Sequence, residues 1–143
     1  MKKINTKNFS ISNSSPFCLI AGPCVIESKE HTINMAKLIF EICSELKINY
    51  IFKSSFDKAN RSSYKSARGV DLQQSLKIFD EIKTKFNCPI ITDVHNESQC
   101  EILANNDIVD IIQIPAFLCR QTDLLIAAAK TNKIINVKKG QFL

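Results

Sequence analysis

Short apolar runs alternate with amphipathic stretches along most of the chain. The runs at Phe17–Ala21, Tyr50–Ser54, Pro89–Asp93, Val109–Ile114 and Ile134–Lys138 are mostly apolar on both parities and end in polar residues. Strands covered on both faces in a parallel sheet carry that pattern. Between them, Ile33, Ala36, Ile39, Ile42, Cys43 and Leu46 fall on one helical face, and Leu72, Leu76, Phe79, Ile82 and Phe86 on a second. Asp71, with Gln74 three residues on, predicts the start of that second helix. Ser98 with Glu101 predicts the start of a third, and Thr122 or Asp123 the start of a fourth that contains Leu125, Ala128 and Ala129.

The order is therefore β-α-β-α-β-α-β-α-β. Repeated right-handed βα units build either an open doubly wound sheet or a (β/α)8 barrel. A barrel needs eight strands and ~250 residues, whereas this chain has 143 residues and five such strands. Pattern alone leaves both architectures open. Residues 1–16 are polar and end in Pro16, which predicts an arm or hairpin ahead of a βα unit spanning 17–143.

Composition narrows the class. No apolar run approaches the ~20 residues that span a bilayer. Lys2 and Lys3 precede an apolar stretch too short and too late for a signal peptide, so a cytosolic protein is expected. The six cysteines are scattered with no Cys-x-x-Cys spacing, which predicts free thiols rather than a disulfide frame. The net charge of +5 is mild. The basic residues sit in loops and form no stripe interleaved with aromatics, which argues against nucleic acid. With three glycines in all, a glycine-rich phosphate cradle is excluded.

Ligand sites of parallel α/β folds lie at the carboxyl ends of the strands. There the chain places Gly22-Pro23-Cys24, then Lys53-Ser54-Ser55, Asp93 with His95, Gln113 with Pro115, and Asn136 with Lys138-Lys139. The connection from Phe56 to Val70 is long against the usual ~2–6 residues. It carries Lys58, Arg61, Lys65 and Arg68, with Asp57 to offset them. Arg binds phosphate in a bidentate fork and Lys supplies a point charge, so the mouth of the sheet suits a small ligand with several anionic groups. Cys24 reads as a buried thiol, a nucleophile or a metal ligand. His31, near the start of a helix, reads as a solvated surface group.

Several stretches taken together resemble the 3-deoxy-D-manno-octulosonate 8-phosphate synthases. They are Ala21-Gly22-Pro23-Cys24, Phe52 to Ser63, Ile91-Thr92-Asp93-Val94-His95, Gln113 to Asp123, and Asn136 to Phe142. The run Lys58-Ala59-Asn60-Arg61-Ser62-Ser63 separates this family from the sister 3-deoxy-heptulosonate 7-phosphate synthases, which carry a Lys-Pro-Arg-Thr-Ser-type stretch there. The resemblance implies a (β/α)8 barrel, of which this chain holds the first five strands, and a cytoplasmic homotetramer. It implies condensation of phosphoenolpyruvate with arabinose 5-phosphate, in the synthesis of the lipopolysaccharide sugar. By position, Lys53, Lys58, Gln113, Ala116 and Lys138 are expected to hold phosphoenolpyruvate, and Asn60, Arg61 and Ser62 the pentose phosphate. Asp93 is expected near the sugar hydroxyls, Pro115 and Phe117 shape the pocket, and Arg120 reaches the sugar phosphate across a subunit interface. Catalytic roles fall on Lys58, Asn60, Asp93 and Lys138.

Cys24 places the chain in the metal-dependent branch of that family, with zinc, iron or manganese as the expected ion. The resemblance puts the other metal ligands (a His, a Glu and an Asp) and a phosphate-gripping Arg on later strands. Three expectations follow: an inactive fragment, one half of a split enzyme completed by a separately encoded C-terminal half, or a non-catalytic module that binds phosphorylated metabolites.

Overall fold

The computed structural model describes residues 3–141. Lys2, Phe142 of the last motif and the end of the 17–143 unit at Leu143 lie outside the described residues. A short antiparallel hairpin comes first, β1 (Ile4–Asn5) with β2 (Ser10–Ile11). Then follow β3 (Cys18–Ala21), α1 (Lys29–Glu45), β4 (Asn49–Lys53), α2 (Leu72–Phe86), β5 (Ile90–Asp93), α3 (Glu97–Ala104), β6 (Ile111–Ile114), a 3-10 turn at Ala116–Leu118, α4 (Thr122–Lys130) and β7 (Ile134–Val137).

Strands β3 to β7 pair in chain order, every pair parallel. A doubly wound sheet contains a point where strand order reverses, and none occurs among the described strands. Residues of all four helices pack with the alternate strand residues Tyr50, Phe52, Ile90, Ile112 and Ile114 in one core. Helices on one face of a sheet that never reverses form part of a (β/α)8 barrel.

The opposite parity faces the barrel interior and changes character along its length. Ile51, Ile91 and Ile111 cluster there, with Cys18, Ile134 and the hairpin residues Phe9 and Ile11 packed against them. Two positions further along the same strands stand Lys53, Asp93, Gln113 and Asn136. Because side chains alternate with period two, each strand turns an apolar residue inward at its start and a polar one at its end. The interior is thus plugged at the amino-terminal end and chemically equipped at the carboxyl end.

Local signals differ from the sequence reading in identifiable ways. Asp71 caps α2, its carboxylate accepting from the Gln74 N–H at 2.8 Å. Helix α3 is capped by Asn96, whose Oδ1 accepts from the Gln99 N–H, so Ser98 lies inside the helix and does not open it. Helix α4 begins at Thr122 after Gln121, with no side-chain cap. On α1 the buried stripe is Thr32, Ala36 and Cys43, while Ile42 and Leu46 are more than half exposed. Ile33 and Ile39 are half-buried and pack against the same core. On α4 the buried residues are Leu124 and Ala128, and Ala129 faces solvent. β6 starts at Ile111, later than Val109, because the Asp110 carboxylate takes the Ile90 N–H at 2.8 Å and an ion pair from Lys83 at 2.8 Å.

Gly22 sets the spacing of the first two strands at the rim. A Cβ there would stand 2.0 Å from the Lys53 carbonyl oxygen, a backbone atom with no room to yield. Gly22→Ala is expected to push the end of β4 outward and cost about 1–3 kcal/mol, read as a fall in the urea midpoint at unchanged slope. Ligand affinity at Lys53 should fall with it.

Candidate active site

A cavity of about 340 Å³ opens at the carboxyl ends of the strands. Lys53, Lys58, Lys138 and Lys139 supply its cations, Asp57 and Asp93 its anions, and Cys24, Asn60, His95 and Gln113 its neutral or titratable groups. Pro115, Ala116 and Phe117, from the turn after β6, form one wall.

Backbone bonds between successive loops hold these groups. The Ser55 N–H donates to the Cys24 carbonyl at 3.2 Å and the Ile26 N–H to the Ser55 carbonyl at 2.9 Å. Ser54 Oγ donates to the Pro23 carbonyl and Thr92 Oγ1 to the Ser54 carbonyl. The Val94 N–H reaches the Gln113 carbonyl and the Lys138 N–H the Ile114 carbonyl. Each loop is anchored to its neighbour before its side chain enters the cavity, so the site is largely preorganised.

The side chains form three local pairs. Lys53 Nζ donates to Ser55 Oγ at 3.1 Å, and Asn136 Nδ2 to Gln113 Oε1 at 3.0 Å. Asp93 Oδ2 lies 3.3 Å from His95 Nε2. Burial opposes ionisation of Asp93. Hydrogen bonds from His95 and Ser55, with the Lys53 charge, outweigh it and hold the carboxyl below its usual range. Donating that same hydrogen bond to Asp93 raises the His95 imidazole above its ordinary value, against the cost of burial. Asp93 Oδ1 and His95 Nδ1 are buried without a hydrogen-bond partner, which leaves one acceptor and one further imidazole nitrogen to a bound molecule. Phe56 packs edge-on against the imidazole at 5.8 Å, and the His95 N–H donates to Gln99 Oε1 at 2.7 Å.

The similarity to known proteins decides the family. The family model described as DAHP synthetase I family matches residues 2–143. The chain belongs to that family. It is 55% identical over 98% of its length to the 2-dehydro-3-deoxyphosphooctonate aldolase of Bartonella henselae. It is 56% identical over 99% to the protein of the same name from Rickettsia felis, and 57% identical over its full length to that of Rickettsia typhi. These alignments cover 50%, 51% and 52% of the relatives, so the chain spans about half the length of the curated relatives it matches.

Within this member of the DAHP synthetase I family, the cavity gathers Cys24, Lys53, Lys58, Asn60, Asp93, Gln113, Pro115, Ala116, Phe117 and Lys138. It does not gather Arg61, Ser62 or Arg120. Ser62 and Arg120 are exposed. Arg61 turns back so that Nη1 donates to the Lys58 carbonyl at 3.0 Å, with Nε buried and unpartnered. Arg68 pairs with Asp57 and leaves the cavity to Lys58. Of the four basic residues that made the long connection conspicuous, Lys58 alone lines the cavity. Among the described residues no three His, Cys, Asp or Glu side chains converge as a metal site. Sequence reasoning attached no role to Gln99 or to Gln141, which also lines the cavity. Each stands in a polar stretch, Gln99 at the end of His95-Asn96-Glu97-Ser98-Gln99 and Gln141 after Lys138-Lys139-Gly140, and that was the available signal.

The Asp93–His95 pair carries a pH signature. His95, with a raised value, contributes stability that is complete below its unfolded value of about 6.5 and is lost as pH rises through its folded value. Asp93, with a lowered value, contributes above about 3.9 and loses this as pH falls through its folded value. The pair is therefore most stabilising near pH 5.5. Asp93→Asn is expected to lower Tm more at pH 5.5 than at pH 8.5, and an equal loss at both would show that the pair does not form.

Proposed function

We propose that this chain carries the substrate-binding rim of an enzyme that condenses phosphoenolpyruvate with D-arabinose 5-phosphate and water. The products are 3-deoxy-D-manno-octulosonate 8-phosphate and phosphate, on the route to the lipopolysaccharide sugar. The observation that carries the proposal is the convergence of Lys53, Lys58, Lys138 and Lys139 on one cavity that also holds the Asp93–His95 pair. The relatives named 2-dehydro-3-deoxyphosphooctonate aldolase support the same reading.

In this reading Lys53, Lys58 and Lys138, with Gln113 and the backbone at Ala116, hold the carboxylate and phosphate of phosphoenolpyruvate. Asn60, Arg61 and Ser62 hold the pentose phosphate, with Asp93 at its hydroxyls. Arg61 and Ser62 must then turn toward the cavity when the sugar binds. The enol carbon attacks the aldehyde, water adds at the adjacent carbon, and phosphate leaves by C–O cleavage. Fixed cations in a partly dehydrated cavity stabilise the charge that develops on the phosphate. Lys58→Met is expected to lower turnover at least ~100-fold, the scale for losing one group aimed at developing charge.

Cys24 is exposed on the cavity wall and is offered as one thiolate ligand of zinc, iron or manganese. The described residues supply that donor and do not complete a site for the ion, so no chemical step here runs through a metal. Cys24→Ser is expected to lower the metal content of the purified protein by elemental analysis, and unchanged content would remove Cys24 from the ligand set. A cytoplasmic homotetramer, with Arg120 at the sugar phosphate of a neighbouring subunit, belongs to the same proposal.

Phosphate release from phosphoenolpyruvate tests the function. The assay uses the chain alone, with a divalent metal, and with the C-terminal half of a relative added. Release that requires arabinose 5-phosphate, and not erythrose 4-phosphate, is the expected result. Equal release with erythrose 4-phosphate would transfer the chain to the heptulosonate branch. No release in any combination would refute the reading.

A further inference from the structure

Asp57 is out of place in a cavity built for anions. It follows the buried Phe56, precedes Lys58 in the chain, and lines the same cavity as Lys53 and Lys138. Its carboxyl is held below the usual range, chiefly by a hydrogen bond from Arg68. It therefore stays ionised at neutral pH and would repel a ligand with phosphate and carboxylate groups.

Arg68 meets that carboxylate from the other side. Asp57 also lines a second cavity, of about 350 Å³, shared with Phe56, Arg68, Gly69, Val70 and Leu72. From there Arg68 Nε donates to Oδ1 at 2.7 Å and Nη2 to Oδ2 at 3.1 Å, a bidentate fork that occupies both oxygens. Arg68 itself does not line the catalytic cavity. Its backbone is fixed independently of its side chain. The Lys58 N–H donates to the Arg68 carbonyl at 2.7 Å and the Val70 N–H to the Phe56 carbonyl at 2.9 Å. Gly69, at φ 123°, packs so tightly against the Phe56 carbonyl that a Cβ would stand 2.0 Å from it. These bonds keep the guanidinium opposite Asp57. With a side chain 65% exposed, the pair adds little to folding, so its consequence lies in the field it leaves inside the cavity.

We propose that Arg68 is a positioning residue that masks the Asp57 carboxylate from behind, keeping the wall beside Lys58 attractive to an anionic ligand. The proposal rests on the reading of the cavity as a phosphoenolpyruvate site. Loss of the guanidinium uncovers a fixed negative charge on that wall and frees it to pair with Lys58.

Calorimetric titration of the purified protein with phosphoenolpyruvate tests this. Arg68→Ala is expected to weaken binding ~5–10-fold at low salt and less at high salt, since charge effects of this kind are screened. Arg68→Lys should stay within ~2-fold of the parent, since it keeps the charge. The decisive variant is Asp57→Asn/Arg68→Ala, which removes both charges and should recover binding to within ~2-fold of the parent. A clamp that only shaped the loop would be broken equally in the double variant, so failure to recover overturns the masking role, as does unchanged binding by Arg68→Ala. If Arg68→Ala is not recovered folded, Arg68→Gln makes the same comparison, with hydrogen bonds retained and the charge gone. A parent protein that does not bind phosphoenolpyruvate overturns the functional reading and this inference with it. A parent that binds, beside an Arg68→Ala variant that binds equally well, overturns the masking alone.

Discussion

Parallel pairing of β3 to β7 in chain order is the constraint from which the site follows. Each strand must return to the same end before the next begins, so every carboxyl end meets the others at one rim. The helices that make the return lie on one face and bury Phe52, Phe79, Ile82, Ile90, Leu103 and Ile112 completely. That burial holds the strands in register, and register places Asp93 opposite Gln113 and Gln113 opposite Asn136. A slip of one residue would turn each of these side chains into the helical layer. The chemistry at the rim is thus tied to the apolar packing behind it.

The rim resolves a conflict between charge and burial by pairing selectively. Its lysines are left available, with Lys53 Nζ bonded to a hydroxyl. Its acids are each given a cationic or protonatable partner, Asp93 with His95 and Asp57 with Arg68. Available cations and paired anions around one cavity leave a net attraction for anionic ligands. Elsewhere the molecule uses the same chemistry for architecture. Lys83 joins the Asp110 carboxylate and two carbonyls below β6, and Lys133 takes the carbonyls of Asn106 and Val109 in the same loop.

Much of this was legible along the chain, because strand and helix periodicities are local consequences of burial. The five parallel strands stand within two residues of the apolar runs that announced them. The polar ends of those runs, Lys53, Asp93, Gln113 and Lys138, came together because alternation and parallel direction leave them one common destination. The charge of the long connection did not say which of its cations line the cavity. Arg61, Lys65 and Arg68 counted equally with Lys58 in the sequence, yet Arg61 bonds the Lys58 carbonyl and Arg68 bonds Asp57. A loop's charges are assigned by which neighbours its backbone brings within reach, and composition does not encode that.

The sequence by itself determined the alternation of strands and helices, the end of the sheet where polar groups collect, and, through its motifs, the family. The tertiary structure alone decided that the order of the described strands does not reverse, which separates barrel from doubly wound sheet, because the two share the same local pattern and differ only in pairing. It also decided which charges face the cavity. Asp57 and Arg68 meet only because the backbone bonds at Lys58 and Val70 fold the chain back on itself, and a contact between residues so far apart in the chain depends on the path between them.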